Sequence, residues 1–379
     1  MSTLATNAIT DASGGNTATI NGFTPTVSNM AGRNKIINGD MRISQRGTSF
    51  TSSGSNQYTL DRFFEYGSVA SKFTVAQSST APTGFINSLL VTSSAATTVG
   101  SSDQYRIEQD IEGLNCADLA WGTSSAATVT LSFWVRSSLT GTFGGSIRNG
   151  AADRSYPFTY TISSANTWEQ KIVTIAGDQS GTWLTTNGNG MRVCFGLGIG
   201  STLSGTAGTW AAANYASATG ATSVVGTNGA TFYITGVQLE EGSVATPFEH
   251  VDYSEMLRRC QRYFCKTFPQ DVAPANGLAL PTESTVAMYT ATNGQGMYFT
   301  YPVTMRAAPT ITLYRGLSRG ATDGQWAVYN GSSWNSATTI ILGGGLSPVG
   351  FTPVVSTGGA LTSGLAYLLS GHYTSSSEL

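Results

Sequence analysis

Between residues 36 and 249 the apolar positions recur mainly with a period of two. In 167–177 (TWEQKIVTIAG), Lys171, Val173 and Ile175 fall on one side and Ile172, Thr174 and Ala176 on the other, which is the alternation of a strand with two distinct faces. The stretches 128–138 (TVTLSFWVRSS), 191–200 (MRVCFGLGIG) and 231–242 (TFYITGVQLEEG) are β-branched and aromatic and are separated by Gly, Ser and Asn turns. Many short strands with almost no helical periodicity predict an all-β chain, with an antiparallel jelly-roll β-sandwich over 36–250.

One segment changes period. In 252–266 (DYSEMLRRCQRYFCK), Tyr253, Met256, Leu257, Cys260, Tyr263 and Phe264 recur at spacings of three and four, predicting an amphipathic connecting helix within 251–268. Asp252 followed by Glu255 reads as a capping box, Arg262 and Lys266 suit a helix C-terminus, and Pro269 lies just beyond. The apolar face could pack on the chain's own sandwich or on copies of itself, and two heptads do not choose between these. After Pro269, short strand-like runs at 296–305, 309–314, 325–330 and 338–344 predict a smaller C-terminal β-sandwich or barrel over 269–379. Residues 1–35 are small, polar and punctuated by glycine, so they are expected to lean on a partner.

Composition narrows the classes. Only 11% of the 379 residues are charged, against roughly 25% in an ordinary soluble domain. The net charge is −2 and there is no basic run, so no nucleic-acid or membrane-surface partner is expected. No apolar stretch approaches the ~20 residues of a membrane helix, and the N-terminus has neither a basic nor an apolar signal region. Cys116, Cys194, Cys260 and Cys265 form no CxxC pair and are accompanied only by His250 and His372; buried free thiols are the simpler reading than a zinc site.

Candidate chemistry is sparse. Glu108, Asp110 and Glu112 alternate in 105–113 (YRIEQDIEG), an arrangement open to Ca²⁺ binding or a glycosidase pair, although the wet face of an outer strand is favoured. Asp61 is expected to meet Arg42 or Arg46, or to cap backbone donors. No GxSxG elbow, P-loop or dinucleotide fingerprint occurs, and no cofactor is expected. Trp183 and Trp210 lie in Gly/Asn/Ala-rich loops. With Tyr215 they are the candidate glycan-stacking residues, the alternatives being a sandwich rim or a subunit interface.

Eight stretches, in order from about residue 13 to 264, together resemble a family of bacteriophage tail fibre or receptor-binding proteins. They are 13–22 (SGGNTATING), 34–47 (NKIINGDMRISQRG), 58–64 (YTLDRFF), 107–113 (IEQDIEG), 130–138 (TLSFWVRSS), 166–178 (NTWEQKIVTIAGD), 232–249 (FYITGVQLEEGSVATPFE) and 257–264 (LRRCQRYF). The resemblance implies a non-enzymatic virion protein of the phage tail, assembled in the host cytoplasm as a homotrimer. Residues 1–35 would dock to other tail proteins, and the distal domain would contact a host surface glycan or protein. A capsid fibre or tail adaptor without a receptor role, and a polysaccharide-depolymerising tailspike using Glu108, Asp110 or Glu112, are the alternatives.

The central part also resembles carbohydrate-binding jelly rolls, in which opening and closing strands lie side by side and often hold a structural Ca²⁺. Here 36–41 (IINGDM) and 232–240 (FYITGVQLE) match those strands, and Asp40 and Glu240 are the acidic positions the resemblance assigns to the metal. The segment 301–314 (YPVTMRAAPTITLY) and the final 375–379 (SSSEL) resemble the small terminal β-domain appended to such phage proteins.

Overall fold

The computed structural model describes residues 32–280, 282–289, 293–316, 323–329, 331–336, 339–342, 345–356, 362 and 364–379. The expected docking leader lies outside these residues apart from 32–35. The chain divides into two compact units. One comprises the part up to Met41 with Thr51–Gln57 and Phe63–Val251; the other comprises Arg42–Phe50, Tyr58–Arg62 and Asp252–Leu379.

The first unit is built on ten main strands: β1 Phe63–Gly67, β2 Phe73–Ser78, β3 Ser88–Ser93, β4 Gln104–Glu112, β5 Val129–Ser137, β6 Gly141–Asn149, β7 Ser155–Ile162, β8 Glu169–Ile175, β9 Asn189–Ile199 and β10 Thr231–Glu241. One sheet runs β2-β3-β10-β5-β8 and the other β1-β4-β9-β6-β7, with antiparallel pairing throughout these strands. Apart from the within-sheet pairs β2–β3 and β6–β7, consecutive strands cross between sheets, which is the jelly-roll manner of closing a β-sandwich. The inward sides interlock through rings. Phe133 of the first sheet meets Tyr160 and Phe195 of the second edge-on at 4.9 and 5.1 Å, the geometry that opposed ring quadrupoles prefer. Each fully buried phenylalanine of this layer contributes about 1.5–3 kcal/mol.

The opening segment lies along β10, as the resemblance implied. The Lys35 amide donates to Leu239 O at 2.9 Å and the Val237 amide to Gly39 O at 2.9 Å. Asn34 clips the pair: its Nδ2 donates to Val237 O and its Oδ1 accepts from the Leu239 amide, both at 3.0 Å.

In the second unit, α1 covers Tyr253–Gln261, with β11 Phe264–Lys266, β12 Glu283–Tyr289, β13 Thr310–Tyr314, β14 Ala327–Tyr329 and β15 Ala366–Ser376. The long β15 is the spine. Its first half pairs with β12 and β14, and its second half with β11 and β13. Trp326, fully buried, donates from Nε1 to His372 O at 2.7 Å and lies against Gly371, where any side chain would collide with the indole.

The helix is shorter than its periodicity predicts. It ends at Gln261, and Phe264 begins β11, because the backbone of 264–266 is taken up by pairing with Ser376–Thr374. Tyr263 and Phe264 are therefore buried without belonging to the helix. Met256 and Cys260 are buried, Leu257 is half-buried and Tyr253 is 47% exposed. Asp252 stands at the N-cap but makes no side-chain cap bond, and Glu255 pairs instead with Arg259 at 3.3 Å.

The charged stretch 34–47 is shared between the units. Lys35 pairs with Asp118 at 2.5 Å in the first. In the second, Arg46 pairs with Glu378 at 2.9 Å and lies 3.7 Å over the Phe264 ring. Arg62 also pairs with Glu378 and covers Tyr263. Asp61 accepts from the Gln45 amide at 2.8 Å and from Gln45 Nε2 at 2.5 Å, so it serves a backbone donor as expected, and the Arg46 charge offsets part of the rise that burial gives its pKa.

Candidate functional site

The side chains with the most open chemistry gather at one rim of the sandwich, where β7 and β8 are the edge strands of the two sheets. A shallow cavity of about 250 Å³ lies there, lined by Tyr156, Phe158, Thr159, Val173, Ala207 and Gly208. The alternation of SYPFTYTI in β7 explains half of the lining. Phe158 is buried, Thr159 is exposed, and Tyr156 is half-buried where the strand reaches the rim.

Trp210 stands beside Tyr156, their ring centroids 5.2 Å apart. The loop carrying it is pinned to β7 by backbone bonds. Gly208 N donates to Pro157 O at 2.9 Å, Ala211 N donates to Ser155 O at 2.9 Å, and Ser155 N donates to Ala211 O at 3.0 Å. Trp210 Nε1 donates to Ala176 O at 2.8 Å, which fixes the indole plane. Its ring remains half-buried.

Behind it lies a support of two more indoles. Trp121 and Trp183 are 4.7 Å apart, and each packs edge-on to Trp210, at 5.3 and 5.7 Å. Both are buried, at 6% and 8% exposure. The structure thus brings Trp183 and Trp210 together but in different settings: Trp210 is half-buried and packs on Tyr156, which lines the cavity, and Trp183 is buried behind it. Tyr215 does not line the cavity. Its ring packs on Gly205 and its amide donates to Ser155 Oγ at 3.2 Å, so it shapes the loop base. Tyr156 is not legible as a site residue beyond the alternation of aromatics in β7, and Trp121 is marked in the sequence by its residue type alone, as one of seven tryptophans able to stack on sugar rings.

Arg154 completes the rim, its guanidinium 5.9 Å from the Trp210 ring. Nε and one terminal nitrogen donate to the two oxygens of Asp178 at 2.8 and 2.6 Å. Gly181 makes this possible: it has φ +78°, and a Cβ there would meet Arg154 Cγ at 2.5 Å.

The carboxylate row behaves differently from its expectation. Every residue of β4 beyond Gln104 is buried, because β4 is an interior strand of its sheet and not an outer one. Glu108 receives Arg106 at 2.8 Å, Arg192 at 3.4 Å and Arg148. Burial alone would raise its pKa, but Arg148, Arg106 and Arg192 overcome this and hold it down at about 2. Asp110 accepts from Asn189 Nδ2 at 2.6 Å. A carboxylate so firmly ionised is a structural charge centre; a glycosidase general acid needs the opposite shift.

Of the pair assigned to calcium, Glu240 is engaged by protein donors. Both oxygens of Glu240 are occupied: Oε1 accepts from the Thr246 amide and Gln238 Nε2 at 2.8 and 2.9 Å, and Oε2 accepts from Thr246 Oγ1 at 2.6 Å. Asp40 is buried. Asn34 clips the junction of the opening and closing strands. Among the described residues no group of three or more His, Cys, Asp or Glu is arranged to hold a metal, and no helix is long and apolar enough to cross a membrane. All four cysteines are buried free thiols, and burial pushes the Cys116, Cys194 and Cys265 thiols up to about 12.

Fold and rim together define an all-β jelly-roll sandwich with an aromatic-walled edge cavity. No family model matches the chain. A search of curated proteins likewise finds no match. Among solved structures, a putative sugar binding protein from Bacteroides thetaiotaomicron is 15% identical, with TM-score 0.33, over 55% of this chain and 100% of that one. The enzymatically active domain of tailspike protein 4 from Bacteriophage CBA120 is 13% identical, with TM-score 0.29, over 55% of this chain; this chain spans 21% of its length. A family 11 carbohydrate-binding module from Clostridium thermocellum is 11% identical, with TM-score 0.27, over 54% of this chain and 99% of that one.

Proposed function

We propose that the chain is a non-enzymatic tail fibre protein of a tailed phage, and that its sandwich binds a host-surface glycan at the rim between β7 and β8. The observation that carries the reading is the half-buried Trp210 ring beside Tyr156 at an open cavity, backed by two buried indoles. Binding sites combine an apolar wall with a few placed polar groups. Here the wall is Tyr156, Phe158 and Val173, with Trp210 packed on Tyr156 beside it, and the polar groups are Thr159 and the backbone of 207–208. Rings fixed in advance lose little entropy when a sugar stacks on them.

The ordered resemblance to phage receptor-binding proteins supports the biological setting. In that setting the chain forms a homotrimer in the virion, and residues 1–35 attach it to other tail proteins. The test is a glycan array probed with the full chain and with Trp210→Ala. The reading predicts glycan binding that the variant loses by at least about tenfold, or about 1.4 kcal/mol, and inhibition of phage adsorption by the purified wild-type chain alone. Release of oligosaccharide from host envelopes would favour the depolymerase instead.

A further inference from the structure

In the second unit, His372 lies in the second half of β15, in register with Tyr314 of β13, and is 0% exposed. Its ring stacks on Phe268 at 4.2 Å, and Phe268, itself buried, meets Tyr314 edge-on at 5.3 Å. Nδ1 is 3.1 Å from Thr267 Oγ1. That hydroxyl donates to Tyr373 O at 3.3 Å and accepts from the Tyr373 amide at 3.0 Å, which assigns the proton of the neutral imidazole to Nδ1. Nε2 is buried with no hydrogen-bond partner among the described residues. The neutral ring therefore ties residues 267–268 and β13 to β15.

A second proton would add an N–H at Nε2 with no acceptor and a charge with no counter-ion. Lys266 is in register with Thr374, two positions from His372 on the same face of the sheet. It is buried, and its Nζ donates to Gln270 O and Val272 O at 3.1 and 2.7 Å. Burial lowers its pKa to about 8, so at pH 7 and below it is an ammonium that repels another cation. The acids of the surrounding segments are engaged elsewhere. Asp61 and Asp271 act on Lys266, Asp323 pairs with Arg315 at 2.5 Å, and Glu283 of β12 is in register with Gly371 and not with His372. A cation over the Phe268 ring gains some attraction, but a fully buried charge with an unserved N–H loses more hydration than one ring face returns. Burial accordingly lowers the His372 pKa.

We infer that His372 is an acid-responsive latch of the second unit: neutral, it holds residues 267–268 and β13 on β15, and protonated, it releases them. Because the folded site disfavours the charged form, the latch is complete above the ordinary histidine value of 6.5 and weakens as pH falls below it.

The test is amide hydrogen exchange of the full chain between about pH 7.5 and 5.5, corrected for the intrinsic pH dependence of exchange. It compares the wild type with His372→Gln and with His372→Phe, which keeps a ring on Phe268. Wild-type amides of 267–268, 311–314 and 372–375 should exchange at least about tenfold faster at the lower pH, while those of β5 and β9 in the first unit change less than about twofold. Either variant should reduce the acceleration to less than about threefold. If neither variant folds, the wild-type imidazole proton signals decide, since His250 is the only other histidine: a His372 midpoint below 6.5 is expected, and one at or above 6.5 would overturn the latch. A wild type without the acceleration, or folded variants that keep it in full, would overturn it equally.

Discussion

Trp210 joins two environments, packed on Tyr156 beside the cavity and perpendicular to the buried Trp121 and Trp183. Removing it should affect binding more than folding. Trp210→Ala is expected to cost about 1–2 kcal/mol of stability, whereas Trp121→Ala, buried behind it, should cost about 3–5 kcal/mol; thermal melts of the two variants compare them directly. Glu108 is the opposite kind of residue. Glu108→Gln leaves three arginines facing an uncharged amide and should destabilise by about 3–5 kcal/mol. The sign of its pH dependence follows from its depressed pKa. Its contribution is complete above the ordinary value of 4.5 and is lost as pH falls toward about 2, because the unfolded carboxylate takes up its proton first. Acid titration of the wild type should therefore show a stability loss across that window that Glu108→Gln lacks.

At the scale of elements, α1 and the opening strand carry the clearest tests. Met256 is buried and Tyr253 exposed on the same short helix. Met256→Ala should cost about 2–5 kcal/mol and Tyr253→Ala less than about 0.5 kcal/mol. A Tyr253→Ala chain that sediments as a smaller species would show that this end of the helix packs on copies of itself. The opening strand is joined to β10 by Asn34 and backbone bonds, so adding a chelator should leave the melting temperature unchanged; a drop of several degrees would reinstate a structural metal. Strand periods in 167–177 and 231–242 were legible because each strand has one buried face. The helix end was not, since Tyr263 and Phe264 keep a helical spacing while their backbone pairs with β15. The acidic row misled for a related reason. Alternation shows which residues share a face, but three arginines brought by β4, β6 and β9 decide whether that face is wet.

For the whole molecule, the β-sandwich followed by a second β-rich unit could be read from turn spacing and the change of period near residue 252. The candidate site was half legible. Residue type and loop composition marked Trp210 and Trp183, but Tyr156, Trp121 and the Arg154–Asp178 pair are separated from them in sequence and meet only through the sandwich edge. Loop 206–211 reaches that edge because Ser155 and Pro157 bond its backbone, a pairing that leaves no local trace. The central claim is that this edge is a glycan site. Its most direct test is isothermal titration of the wild type and Trp210→Ala with the best ligand from a glycan array, with folding of both checked by thermal melt. The account predicts a saturable wild-type isotherm and at least a tenfold weaker one for a folded Trp210→Ala. Equal affinities for the two folded proteins would contradict it.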